Sequence, residues 1–141
     1  MIDELSIGAV LFSQIDGKRK YLLLNYVSGH WDFPKGNKEE NETELSTIIR
    51  EIKEETNITD ITFIHGFQKN IFYNYIKNSK LISKKVKYYI AKTKTTKVTL
   101  SYEHIGYTWE SYDKALNIIT FNNSKQLLID SHRFLDQKND F

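Results

Sequence analysis

The chain has no cysteine, one proline, one methionine and no apolar run long enough to cross a membrane. Without cysteine there can be no disulfide and no thiolate metal site. With no second histidine or cysteine at ligand spacing around His104, zinc is not expected either. The start, Met1-Ile2-Asp3-Glu4-Leu5, is acidic and lacks the basic and apolar regions of a secretion signal. A cytoplasmic protein with no membrane partner is therefore expected. Charge of one sign is also scarce: 20 Lys and Arg stand against 18 Asp and Glu, a formal net charge of +2. That balance argues against general nucleic-acid binding, which shows as a basic excess. Nothing repeats, and no linker interrupts the 141 residues, 40% of them hydrophobic. One domain over residues 1–141, acting as a monomer, is expected.

Against these absences stands one dense stretch, Gly36 to Ile58. Five glutamates fall between Glu42 and Glu55, with Arg50 among them. Leu45, Ile48, Ile49 and Ile52 recur at i, i+3, i+4 and i+7, which predicts an amphipathic helix with these four on the buried stripe. Glu51 and Glu55, four apart, share a flank beside that stripe, with Glu44 further back on it and Glu54 turned toward solvent. Either Asn41, with Glu44 as its capping-box partner, or Thr43 starts the helix. Asn57, which tolerates the left-handed conformation, ends it. Like charges at i, i+4 repel, and Arg50, Lys53 and a hard divalent cation such as magnesium are the compensating charges this spacing calls for.

The full spacing, Gly36, five residues, Glu42, seven residues, then Arg50-Glu51-Ile52-Lys53-Glu54-Glu55-Thr56-Asn57-Ile58, resembles the Nudix box, G-x5-E-x7-R-E-U-x-E-E-x-G-U with U aliphatic. Asn57 stands where the family has glycine. The resemblance implies the Nudix fold, an α/β/α sandwich around a mixed β-sheet. It implies a metal site of Glu51, Glu54, Glu55 and the Gly36 carbonyl, filled by Mg2+ with Mn2+ as substitute. Arg50 would hold the glutamates, and Glu54 or Glu103 would take the proton from water. The lead-in His30-Trp31-Asp32-Phe33-Pro34-Lys35-Gly36, the segment Ser101-Tyr102-Glu103-His104 with Tyr107 and Trp109, and the ending His132-Arg133-Phe134-Leu135 resemble the branch that hydrolyses diadenosine tetraphosphate asymmetrically. By that likeness Glu103 faces the metals, Tyr73 and Tyr88 line the nucleotide pocket, Lys84 binds phosphate, and His30 and Lys35 join them on the substrate.

Elsewhere the pattern predicts strands at Leu5–Phe12, Lys20–Tyr26, Ile61–Tyr75 and Lys84–Lys92, and around Tyr107–Trp109. Asp16-Gly17 is a hairpin turn, and Gly66 is a candidate bulge. Lys97–Leu100 is a further candidate strand. Helices are expected from Tyr112 to Ile119, capped by Ser111, and from Lys125 to Leu135 after a break at Asn122–Ser124, with a loose tail from Asp136. Tyr75 and Tyr89 are expected to point away from the Tyr73 and Tyr88 pocket. The rival functions are pyrophosphate removal from triphosphorylated RNA, hydrolysis of another small nucleotide such as ADP-ribose, and nucleotide sensing without catalysis.

Overall fold

The computed structural model describes residues 1–138. The first predicted strand forms as β1, Glu4–Ile15, and residues 6–13 are buried without interruption. A strand so enclosed needs cover on both faces, and it has it. Ile7, Ala9 and Leu11 pack with Ile48, Ile52 and Ile58 on one side. Val10 and Phe12 pack with Leu127, Leu128 and Leu135 on the other. β2, Lys18–Tyr26, splits likewise, with Leu22 and Leu24 on the first side and Tyr21 and Leu23 on the second. Asp16 and Gly17, both at positive φ, make the turn between β1 and β2.

The rest of the sheet comprises β3 (Trp31–Asp32), β4 (Lys35–Asn37), β5 (Ile61–Phe63), β6 (Lys69–Lys77), β7 (Lys80–Thr93) and β8 (His104–Glu110). β1 and β7 pair in parallel, and every other pairing is antiparallel. Helix α1 (Glu44–Thr56) covers one face, while α2 (Tyr112–Ile118) and α3 (Asn122–Lys138) cover the other. The result is the expected α/β/α sandwich on a mixed sheet. No helix among the described residues is long and apolar enough to cross a membrane.

Several expectations are corrected. Only Ile48 and Ile52 of the α1 stripe are buried; Leu45 and Ile49 are 41% and 46% exposed, because the buried face is turned toward Ile48 and takes in Thr47 and Glu55 instead. Thr43, not Asn41, is the N-cap, its hydroxyl accepting from the Ser46 amide at 3.1 Å. The expected strand Ile61–Tyr75 is two strands, β5 and β6. Both pair with β7, and residues 64–68, with Gly66 at φ +96°, loop out between them. Lys97–Leu100 forms no strand; the Thr99 amide bonds the Thr56 carbonyl at the end of α1 instead. Asn122–Ser124 opens α3 rather than breaking the chain, and Asp136 to Lys138 continue it. The last residues of the expected loose tail, 139–141, lie outside the described residues.

Candidate active site

The acidic motif is built by two cooperating pieces, α1 and the short strand β4 that lies against β1. Arg50 is the hub. Its Nε and Nη2 bind Glu42 at 2.6 and 3.0 Å, its Nη1 binds Glu51 at 2.7 Å and reaches Glu54 at 3.3 Å, and Nη2 also donates to the Asn37 carbonyl at 2.9 Å. A planar guanidinium suits such a multiple clasp. Glu42 is a scaffold residue here. It also accepts from the Glu39 amide and the Thr47 hydroxyl, and the bond from Arg50 first of all holds its carboxyl down at about 2. At the other end of α1, Asn57 takes φ +62°, ψ +18°, the left-handed exit for which glycine is the usual choice.

Gly36 faces Glu51 so closely that a β-carbon there would sit 1.8 Å from the Glu51 carboxyl carbon. Burial raises the Glu51 carboxyl even though Arg50 opposes the shift. Glu55 is more extreme, with only 2% of the residue exposed. Burial, then the charge of Glu51, pushes its carboxyl up to about 9. Its Oε1 accepts from the Lys35 amide at 3.2 Å, while its Oε2 is buried without a hydrogen-bond partner. An unsatisfied buried polar group costs about 1–3 kcal/mol, more when charged.

Glu103 is exposed on the loop before β8, and its charge also raises Glu51 and Glu55. Among the described residues no three His, Asp or Glu side chains are already gathered as a finished cation cage. The donor chemistry nevertheless fits a hard divalent ion. An orphaned, buried carboxylate oxygen beside other carboxylates and the outward-facing backbone of Lys35 and Asn37 is an oxygen-rich site short of positive charge.

Beside this cluster opens a cavity of about 450 Å³, within the range usual for small-molecule sites. Tyr26, His30, Lys35, Tyr73, Tyr88 and Phe121 are among its walls. His30 stacks on Tyr26 with centroids 4.6 Å apart and 9° between planes, and its Nδ1 is 2.8 Å from the Ser28 hydroxyl. Burial lowers its basicity. The Lys35 ammonium lies 5.6 Å from the centre of the Tyr73 ring and 3.7 Å from buried Asp32. Lys84 shares the pocket-side face of β7 with Val86 and Tyr88, but it does not line this cavity. Its ammonium is 3.8 Å from Glu4 and 3.5 Å from Asn37, and burial, then the charge of Lys35, lowers it. Lys85 points to the opposite face, over Phe72.

The structure thus brings Arg50, Glu51, Glu54, Glu55 and Gly36 together, and His30, Lys35, Tyr73 and Tyr88 around the cavity. Tyr88 is buried rather than open, at 1% exposure. Tyr75 is on the same side as Tyr73, with rings 6.3 Å apart, contrary to expectation: residues two apart on a strand share a face. Its hydroxyl is tied to Glu4 at 2.5 Å. Tyr89 does point away, to Glu44. Sequence reasoning missed Tyr26, Asp32 and Phe121 as cavity residues. The available signal for Asp32 was a lone acid between Trp31 and Phe33; Phe121, reached only through tertiary packing, carried none.

Residues 5–131 match the NUDIX domain. The chain is 38% identical over 122 residues to the asymmetrical bis(5'-nucleosyl)-tetraphosphatase of Sus scrofa, covering 82% of this chain and 80% of that protein. It is 35% identical over 133 residues to the enzyme of the same name from Caenorhabditis elegans, covering 91% and 94%. The crystal structure of a C. elegans Ap4A hydrolase binary complex superposes with a TM-score of 0.84 at 32% identity, over 95% of this chain and 98% of that one. On this match, together with the helix-borne acidic motif and the three-layer fold, the chain belongs to the NUDIX family.

Proposed function

We propose that this single Nudix domain, residues 1–141, is a divalent-cation-dependent hydrolase of dinucleoside polyphosphates that cleaves diadenosine tetraphosphate to ATP and AMP. Lys35 carries the reading. Its amide holds Glu55, and its ammonium enters the aromatic cavity over Tyr73, so one residue joins an acidic cluster to a pocket suited to a base. The similarity to proteins named for this activity supports it.

Nudix hydrolases depend on a divalent cation. Glu51, Glu54, Glu55 and Glu103 would hold it here, with magnesium the ion and manganese its substitute; the Gly36 carbonyl, expected as a ligand, is turned toward Ile7 in the β1–β4 pairing. Such an ion neutralises phosphate charge and lowers the pKa of bound water. The chain's own residues supply the rest. Arg50 keeps the carboxylates from splaying apart. Tyr73 and His30, both on the cavity wall, offer aromatic faces for an adenine ring. Lys35 and Lys84 meet phosphate oxygens. Glu54 or Glu103, the two more exposed acids, accepts the proton as water attacks phosphorus. One bridging P–O bond breaks, and the water oxygen stays with the attacked phosphorus.

Product analysis with diadenosine tetraphosphate and magnesium in oxygen-18 water tests this. ATP plus AMP with label in AMP is expected. Two molecules of ADP would refute asymmetric cleavage. Pyrophosphate released from triphosphorylated RNA run in parallel, with the dinucleotide intact, would transfer the site to RNA ends.

A further inference from the structure

The geometry points to His104 as a positioning residue, whose Nε2–H holds the second carboxylate oxygen of Glu55 in its working orientation. This rests on the role proposed for Glu55. His104 Nε2 and Glu55 Oε2 face each other at 3.6 Å, with side chains 0% and 3% exposed. Neither atom has another hydrogen-bond partner. The gap exceeds a hydrogen bond by about 0.5 Å, and closing it would give both atoms a partner while leaving Oε2 a second lone pair for a cation. Glu55 Oε1 is already engaged by the Lys35 amide.

The two sides of the ring decide which atom carries the proton. His104 Nδ1 is 3.1 Å from the Ser101 hydroxyl, and that hydroxyl accepts from the Glu103 amide at 3.4 Å. An ionised Glu55 Oε2 can only accept, so the imidazole proton resides on Nε2, and the Ser101 hydroxyl donates its O–H to Nδ1. Tyr26 packs edge-on against the ring at 4.4 Å, with its hydroxyl tied to the Phe33 carbonyl at 2.8 Å, so the imidazole cannot swing away. The loop that carries Glu103 is thereby clasped to the helix that carries Glu55. His104 does not line the cavity, so it acts on the reaction through Glu55 and not on the nucleotide. A neighbouring hydrogen bond that orients a ligating side chain is a general device of metal sites.

The test compares wild type, His104→Gln, which keeps an amide N–H at the Nε2 end, His104→Leu, which has none, and Ser101→Ala. Three readouts apply: the His104 tautomer from long-range proton–nitrogen correlation spectra, Mn2+ affinity of the nucleotide-free protein by electron paramagnetic resonance, and kcat with KM. The Nε2–H tautomer is expected in Mg2+-loaded wild type, where Glu55 is ionised. His104→Leu should weaken Mn2+ binding about 10- to 100-fold and lower kcat with little change in KM. His104→Gln should recover most of both, and Ser101→Ala should fall between. An Nδ1–H tautomer in the Mg2+-loaded wild type overturns the inference, as does equal Mn2+ affinity in His104→Leu and wild type. If His104→Leu fails to fold, the tautomer and the Ser101→Ala affinity still decide. A wild type that binds Mn2+ but spares diadenosine tetraphosphate refutes the substrate and leaves the His104 role judged by tautomer and affinity.

Discussion

Replacing Gly36 by alanine changes one hydrogen into a methyl group and should disable the enzyme while sparing the fold. The methyl carbon would lie 1.8 Å from the Glu51 carboxyl carbon and 2.1 and 2.2 Å from its oxygens. Non-bonded carbons rest about 3.5–4.0 Å apart, so the carboxyl group must withdraw by about 1.7–2.2 Å. It can do so, being the end of a flexible side chain. What the fold loses is the 2.7 Å bond from Arg50. A charge-assisted bond is worth about 1.5–3 kcal/mol when shielded. Partial exposure of Arg50 discounts that to about 1 kcal/mol, and the melting temperature falls by only a few degrees. Catalysis is less tolerant, since a misplacement of about 1 Å can cost about 100-fold. The expected outcome is kcat/KM for diadenosine tetraphosphate reduced at least about 100-fold, with a melting curve close to wild type. Activity within about threefold of wild type would refute the claim that Glu51 must occupy the space over Gly36.

Three further outcomes follow from neighbouring residues. Gly8→Ala would press a β-carbon 2.5 Å from the Tyr88 ring and 3.0 Å from the Lys35 β-carbon, a clash with a fully buried ring in a packed core. It should cost about 1–3 kcal/mol of stability and raise KM more than it lowers kcat, which denaturant titration and steady-state kinetics would check. Glu103→Gln, on an exposed loop, should lower kcat about 100-fold or more if it takes the proton, without moving the melting temperature; unchanged kcat would leave that task to Glu54. In cation-free protein, Glu55 holds a proton up to about 9 because it is buried, whereas the unfolded chain releases it near about 4.3. The folded state alone binds that proton between these values, so stability falls as pH rises through the window, by at most about 1.4 kcal/mol per pH unit. Glu55→Gln should abolish turnover, and melting curves against pH in EDTA should show a correspondingly shallower decline; identical declines in mutant and wild type would contradict the burial of a titrating Glu55.

Helix α1 was legible because two periodicities coincide in it. The spacing of Ile48 and Ile52 fixes its buried side, and the spacing of Glu51 and Glu55 fixes its chemical side. Leu45 and Ile49 misled because apolar periodicity did not report that the buried face is turned toward Ile48, with Thr47 and Glu55 buried in their place. β1 was legible from an unbroken apolar run, which only a central strand tolerates. The split between β5 and β6 was not, since both halves carry strand-forming residues. Only their common partner β7, with Tyr89 and Ile90 lying between the two paired segments, shows that the chain loops out at residues 64–68. The expected strand at Lys97–Leu100 failed for a related reason: its Thr99 amide found the end of α1 rather than a sheet edge. The Glu55–His104 contact joins residues 49 positions apart whose atoms meet only inside the fold, so no local pattern announces it.

The register of three residues, Pro34 to Gly36, decides whether the two halves of the site meet. The Pro34 carbonyl accepts from the Ala9 amide at 3.1 Å, and Lys35 and Gly36 then pair with Gly8 and Ile7. In that register the Lys35 side chain enters the cavity, its amide points to Glu55, and the bare side of Gly36 admits the Glu51 carboxylate. A slip of one residue would reverse the face taken by each side chain. Lys35 would leave the cavity, and a side-chain-bearing residue would meet Glu51. The lone proline of the chain fixes φ where the slip would begin and supplies no amide that could seek another partner. The neighbouring buried Gly8 allows no relaxation from below, because the Tyr88 ring and Lys35 already fill the space a side chain would need. The acidic helix therefore supplies the charges, but β4 sets where phosphate and base can lie relative to them. The coupling of proline, lysine and glycine in consecutive positions is the physical content of the lead-in to the motif.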